Sequence, residues 1–448
     1  MSATDSPASG RGHLLRVLGL SFGIAVAIGG MIGAGILRTP SLIAGLVPEA
    51  GLIITLWVLG AVQTLLEANI VAELATSLPK AGGFYVYAHR AFGDLGGLVV
   101  GWTIWIARLA STAALSVAFA DFFALLSAPA GHYKAAVAVA MQLALFLFNI
   151  IGVRQGSGLQ QATSFAKALA LLAFCVAAVA VAASLRASPP TVVPHVPATI
   201  TAFGMIGAYQ LIIGAYSGWY EPVFFAEENV DPGRSLPRAM AFSILLTAAL
   251  YIAVNGVLLY ALGVRGITGN ALPYTIVLDR AGGALPALLF AAGAMIVVAS
   301  CANAGIMVAP RVLLALSRDR LLPAMFQNIN RGGSPWVAFL LTACGSVALA
   351  LSGSFALLFG LIATLQSAAF VLVIGSVFVL RKKEPALARP WRVKGYPWLA
   401  ALVFAIDFVL LILFLSSNWL GGLYAAILWA ACVPFAMVAR RARAQASP

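Results

Sequence analysis

Apolar residues run in stretches of helical length, separated by short polar segments that hold most of the charges. Twelve such stretches are predicted, at approximately 18–37, 51–76, 98–127, 135–153, 162–184, 199–226, 239–262, 285–310, 335–352, 356–380, 397–416 and 420–439. Most approach the ~20 residues that an α-helix needs to cross the hydrocarbon core, and they lack the ~10-residue alternation of a membrane barrel. The predicted fold class is an all-α integral membrane protein of about 12 transmembrane helices.

Two of the stretches are interrupted. The first contains Gly29-Gly30-Met31-Ile32-Gly33-Ala34-Gly35, and the sixth contains Gly214-Ala215-Tyr216-Ser217-Gly218-Trp219-Tyr220-Glu221-Pro222. Clustered glycine and proline free backbone groups that lipid cannot hydrogen-bond, so such stretches persist only where protein or a water-filled cavity surrounds them. The interruptions lie about 185 residues apart, which predicts two five-helix repeats with a substrate site at the membrane midplane. For the first glycine run taken alone, close helix packing through Gly29-xxx-Gly33 is the competing reading.

Composition agrees with burial in lipid: 62% of the 448 residues are hydrophobic and 9% charged, against roughly 25% charged in soluble chains. The net charge of +13 would suggest nucleic acid in a soluble protein. Sorting the basic residues by loop gives another source. With the N-terminus in the cytoplasm, 20 of the 27 Lys and Arg residues fall inside and five outside, while Arg108 and Lys167 stay within spans. That asymmetry predicts both termini in the cytoplasm, with tails at 1–17 and 440–448, and no nucleic-acid partner. The first 17 residues lack a cleavage site, so no removable signal peptide is expected. Cys175, Cys301, Cys344 and Cys432 all lie in apolar runs without paired spacing, so they read as small core residues, with no disulfide framework or metal site expected.

Several short motifs have a familiar order. They are Gly33-Ala34-Gly35-Ile36; Ala72-Glu73-Leu74 followed by Pro79-Lys80-Ala81-Gly82-Gly83-Phe84-Tyr85; Ala226-Glu227-Glu228 with Asp231-Pro232-Gly233-Arg234-Ser235-Leu236-Pro237; Ser317-Arg318-Asp319-Arg320-Leu321; and Arg389-Pro390-Trp391-Arg392. Together the chain resembles the amino acid–polyamine–organocation transporters over nearly its whole length. The resemblance implies an inverted repeat, 18–184 and 199–380, with broken helices 1 and 6 and two accessory helices at 397–439. It also implies alternating-access transport of amino acids or related amines across the cytoplasmic membrane, with no cofactor. By the same resemblance, the substrate carboxylate meets backbone N–H groups near Ala34 and Gly35, and the amine meets carbonyls of Met31, Gly214 and Ser217, with Gly33, Tyr216 and Gly218 also in the substrate-binding set. Many relatives carry an aromatic gate where this chain has Gly214, which passes the gate to Tyr216 or Trp219 and leaves a roomier pocket.

Ionisable residues at bilayer depth cost at least ~2.5–3.5 kcal/mol each on insertion scales, so each needs a reason. Lys167 matches a lysine that some sodium-independent relatives place where sodium-coupled ones bind an ion; the alternatives are a proton-coupling role and simple snorkelling to the interface. Asn303 either assists Lys167 or forms a packed polar contact. Glu221 sits beside the expected cavity, either against a cationic substrate group or paired with a neighbouring helix. Glu67 faces the same cavity or pairs with Arg108, Glu73 belongs to the loop architecture, and Asp121 and Asp407 are polar ties between helices.

Other classes lack their motifs. His13, His89, His132 and His195 form no metal-ligand pair, and the chain has no phosphate loop and no nucleophile elbow. The reading is a sodium-independent secondary transporter of amino acids, proton-coupled or exchanging. The alternative is a polyamine or cationic amino acid transporter that uses Glu221.

Overall fold

A computed structural model describes residues 16–126, 132–151, 153–187, 199–269, 273–351 and 355–417, together with Leu423, Ala426 and Ala430. The described residues form α1 (Leu20–Met31), α2 (Ala34–Ala44), α3 (Ala50–Ser77), α4 (Phe84–Leu126), α5 (Lys134–Ile151), α6 (Val153–Ala187), α7 (Ala202–Tyr216), α8 (Pro232–Ile267), α9 (Pro273–Gly282), α10 (Ala284–Arg318), α11 (Trp336–Leu351), α12 (Phe355–Lys383) and α13 (Trp398–Ser417). A 3-10 helix, Glu221–Glu228, follows α7. Eight of the segments are long and apolar enough to cross a membrane, counting α1 and α2 as one, and α5 and α11 are shorter apolar helices. The predicted span at 420–439 falls almost wholly outside the described residues.

Local chemistry accounts for the element ends. The Glu49 carboxylate accepts from the N–H groups of Gly51 and Leu52 at the start of α3, and Thr201 and Asp231 cap α7 and α8 in the same way. Pro232 occupies the first turn of α8, where its missing N–H costs nothing. Three features depart from the simple run of spans. The stretch at 18–37 is two helices, the chain from Phe84 to Leu126 bends at Gly93 (φ 77°), and α9 is an extra short helix between the seventh and eighth predicted spans.

Along α6, Leu169, Leu172, Val176 and Val179 are exposed while Phe174, Cys175, Ala178 and Ala182 are buried. Both faces are apolar, as expected of a helix with lipid on one side and protein on the other. The buried apolar residues fall into two main tiers. One gathers the start of α1, the later half of α3, the 3-10 helix and the later half of α10 around Phe84, Tyr87 and Phe224. The other gathers α2, the early half of α3, α6, α7 and α8 around Trp57, Tyr216 and Tyr251. Between the tiers lie buried polar side chains, among them Gln63 and Glu67 of α3, Arg108 of α4, Lys167 of α6 and Asn303 of α10.

The first tier is closed by ion pairs that join the distant sequence motifs to one another. Glu228 receives Arg311 Nε at 2.5 Å and Nη2 at 3.0 Å, with neither side chain more than 1% exposed. Glu227 receives Arg318 at 2.6 Å and the Ala81 N–H at 3.0 Å. Glu73, expected to belong to the loop architecture, receives Arg381 at 2.5 Å, lies 3.3 Å from Arg389 and accepts the Val393 N–H at 2.7 Å. The start of α1 is stitched on through the Val17 and Leu18 N–H groups, which donate to the Glu228 carbonyl.

Removing one member of a fully buried pair leaves an uncompensated charge, at a cost of about 3–5 kcal/mol. Arg311→Ala should therefore lower the thermal unfolding midpoint of the detergent-solubilised protein sharply. Arg90→Ala removes an arginine that is 58% exposed and pairs with Glu384, and should change stability by only about 0–1 kcal/mol.

Candidate functional site

The site is built where α1 and α7 stop. α1 ends at Met31 because Ile32 and Gly33 are extended, and α2 restarts at Ala34. α7 ends at Tyr216, Ser217 is extended, and Gly218 has φ +115°, a conformation that L side chains rarely adopt. The two breaks touch: a Cβ on Gly218 would lie 2.4 Å from the Gly30 carbonyl carbon, and one on Gly30 would lie 2.6 Å from the Glu221 carboxyl carbon. Glycine is required at Gly218 for the two breaks to approach, and at Gly30 it leaves room for the Glu221 carboxylate.

Nearly every carbonyl freed by the end of α1 is bound by a side chain from another helix. Lys167 Nζ donates to Gly29 O at 2.6 Å and to Ile32 O at 2.7 Å. Cys301 Sγ lies 3.3 Å from Gly30 O, and the Tyr251 hydroxyl lies 2.7 Å from Met31 O and 3.1 Å from Ala215 O. Lys167 is 1% exposed and points into the break, so it does not snorkel to the interface. At the start of α2, by contrast, no side chain caps the helix. Its first N–H groups have no intrahelical acceptor, and they sit at the positive end of the helix dipole.

A cavity of about 380 Å³ lies against both breaks, within the ~300–1,000 Å³ range of small-molecule sites. Gly30, Met31, Gly33 and Gly35 line one side; Gly214, Ser217, Gly218 and Glu221 line another; Arg108, Cys301 and Gln366 complete the polar wall. The cavity reaches Leu46 and Gly207, at the end of the molecule where α2 stops and α7 starts. A larger basin of about 880 Å³, lined by Lys80, His89, Arg318 and Asp319, shares no lining residue with it.

At the wall of the cavity Arg108 Nη1 donates to Glu221 Oε1 at 2.8 Å, with both side chains almost fully buried. Arg108 also lies over the Tyr220 ring, 5.2 Å from its centroid. Gln366 orders this wall: its amide nitrogen donates to the Tyr220 hydroxyl at 2.6 Å, and the Ser217 hydroxyl lies 3.3 Å from its amide oxygen. Arg108 Nη2 and Glu221 Oε2 are buried without a protein hydrogen-bond partner. Buried polar atoms are seldom left unpaired, so this pair keeps one donor and one acceptor with unused hydrogen-bonding capacity.

The expected site residues divide accordingly. Met31, Gly33, Gly35, Gly214, Ser217, Gly218 and Glu221 line the cavity, and the Ala34 backbone opens α2 beside them. The two expected gate residues do not line it. Tyr216 is buried against Trp57 and Tyr251 with its hydroxyl on the Trp57 carbonyl, and Trp219 packs on Tyr220 and Phe370. Asn303 accepts from Asn149 at 2.7 Å. Asp121 ties Arg38 to Lys134, and Asp407 ties α13 to Gln63.

Glu67 does not pair with Arg108, because Glu221 holds that position. Instead it bonds Gln63 at 2.9 Å and lines a separate small cavity. Sequence reasoning left Arg108 without a site role and passed over Gln366 and Tyr251 altogether. Arg108 carried a signal as a charge at bilayer depth; a lone glutamine or tyrosine in an apolar helix carried none.

An all-helical membrane chain with two interrupted helices converging on a buried cavity has the build of a secondary transporter. The amino acid permease profile matches residues 18–437, and the chain belongs to that family. It is 25% identical to the serine/threonine exchanger SteT of Bacillus subtilis (strain 168) over 407 residues, 89% of this chain and 91% of SteT. It is 29% identical to the branched-chain amino acid permease BcaP of the same organism over 92% of this chain and 90% of BcaP. It is 28% identical to the mouse Asc-type amino acid transporter 1 over 93% and 79% of the two chains. The protein is a secondary amino acid transporter.

Nothing lies within 4 Å of a Cβ added at Gly214, in contrast to Gly218. Gly214→Ala should leave thermal stability and uptake near wild type. Gly218→Ala should lose the site, because a strained φ costs about 1–3 kcal/mol before the overlap with Gly30 is counted. Thermal unfolding and amino acid uptake, measured side by side in liposomes, test the contrast.

Proposed function

We propose that the protein carries a zwitterionic, net-neutral amino acid, bound at the two breaks, and that it does so without sodium. The carrying observation is the neutral Arg108–Glu221 pair in the cavity wall. The substrate carboxylate sits on the Ala34 and Gly35 N–H groups at the uncapped start of α2. The ammonium meets the open Glu221 Oε2, with the remaining lone pair of the Met31 carbonyl and the carbonyls of Gly214 and Ser217 alongside. Lys167 supplies at the α1 break the positive charge that a sodium ion supplies in sodium-coupled transporters, which supports sodium independence.

Alternating access follows from the distribution of closure. The Glu73, Glu227 and Glu228 ion pairs lock one face, while the cavity reaches toward the other. The 20-to-5 split of basic residues supports placing the locked face, and both termini, on the cytoplasmic side of the plasma membrane. The conformation is then outward-facing, and the cycle requires the Glu–Arg locks to open as the outer walls close. The two five-helix repeats, 18–184 and 199–380, are the moving bodies on this reading.

A cationic substrate that used Glu221 would have to displace Arg108, so the polyamine and cationic amino acid reading is the weaker one. A competition panel in liposomes decides between them. Serine, threonine, leucine and isoleucine should include effective competitors, with spermidine and putrescine, which lack a carboxylate, inactive; inhibition by the polyamines alone would refute the proposal. Arg108→Gln frees the Glu221 charge and should raise competition by lysine and arginine relative to neutral amino acids. If their ranking stays unchanged, the pair does not set charge selectivity.

A further inference from the structure

Glu67 of α3 and Asp407 of α13 face each other across a second cavity, behind the wall of the substrate site. Both are buried, at 6% and 5% exposed. Gln63 bridges them: its amide nitrogen donates to Glu67 Oε1 and to Asp407 Oδ1, each at 2.9 Å. The amide is oriented by Tyr209 of α7, whose hydroxyl donates to the Gln63 oxygen at 2.5 Å. Asp407 Oδ2 is buried in the same cavity without a protein hydrogen-bond partner.

Two carboxylates at bilayer depth demand a counter-charge, since like charges in a low-dielectric interior repel and each loses its hydration. Among the described residues no lysine, arginine or histidine lines the cavity. The titratable groups that face the pair from neighbouring elements are Tyr209 on α7 and Tyr220 after the break, neither of which supplies positive charge; α12 contributes Ser367 and Phe370. The volume is about 30 Å³, room for about one water molecule. An amino acid does not fit, and the Gln63 N–H group pointing at both carboxylates opposes a metal ion, which would draw the amide oxygen there instead. The occupant that fits is a proton.

We propose that Glu67 and Asp407 share one proton and form the proton-coupling site of this transporter, separate from the substrate cavity and from Lys167. Coupling runs through one shared wall: Ser217, which ends α7 at the break, lines both cavities, and Trp219 closes the smaller one. A rearrangement of the α7 break on substrate binding changes the wall that covers the pair, and so its exchange of protons with solvent. No bond other than the O–H is made or broken; the proton passes between a carboxylate oxygen and water.

The inference rests on the transport reading for its coupling, but the shared proton itself is measurable without substrate. Infrared titration of the purified full chain should show a protonated carboxyl stretch that both Glu67→Gln and Asp407→Asn remove or shift, and a band unaffected by either refutes the shared proton. In liposomes, serine and leucine accumulation driven by an imposed pH gradient should be lost in both variants, whereas exchange of the same amino acid without a gradient should persist and report folding. Gradient-driven accumulation that survives in the double variant overturns the coupling. So does a wild type driven by a sodium gradient and indifferent to pH. If the wild type exchanges no amino acid, the transport reading fails while the infrared result still stands or falls on its own.

Discussion

A membrane helix that breaks must find hydrogen-bond partners for the backbone groups it frees, because lipid offers none. Here that requirement organises the centre of the protein. The carbonyls at the end of α1 are taken up by Lys167 from α6, Tyr251 from α8 and Cys301 from α10, so three separate helices are fixed relative to one break. Tyr251 also reaches the Ala215 carbonyl and thereby joins the second break to the first. The acceptors are mostly satisfied from within. The N–H groups at the start of α2 are not capped, and the open capacity of the backbone therefore favours an anionic group.

Side chains supply the complementary charge. Placing a carboxylate beside the α1 break would be costly alone, and Arg108 offsets it across a 2.8 Å hydrogen bond. The pair leaves one donor and one acceptor unpaired in the cavity wall. A zwitterion has one anionic and one cationic group, so the amides of α2 and the free edge of this pair together match its two ends. The polar layer that includes these groups lies between two apolar tiers, and among the described residues only the tier holding the Glu–Arg pairs is locked by buried ion pairs. Such an arrangement has the asymmetry that alternating access requires, since one end is held by bonds that can exchange partners and the other by apolar contacts around an open cavity.

Much of the architecture was legible in the chain. The apolar runs and the absence of strand alternation sufficed for an all-helical membrane protein, and Gly29 to Gly35 and Gly214 to Pro222 marked both breaks. The motifs around Glu73, Glu227, Arg318 and Arg389 were visible as separate segments, yet their mutual pairing was not, since partners such as Glu73 and Arg381 lie in distant parts of the chain. Tyr216 and Trp219 lie outside the cavity lining for a related reason. Tyr216 and Trp219 flank the break in sequence, but the extended residue Ser217 and the positive φ of Gly218 turn their rings into apolar packing on either side.

The sequence by itself determined where helices run, where two of them break and which charges stand in lipid, because hydrophobicity, glycine and proline act locally and leave a one-dimensional record. Which of those charges meet was decided only by the tertiary structure. Glu221 found Arg108 on a neighbouring helix, Glu67 found Gln63 rather than Arg108, and Lys167 turned inward to the α1 carbonyls. Each choice depends on distances of a few ångströms between helices, and no spacing along the chain carries those distances.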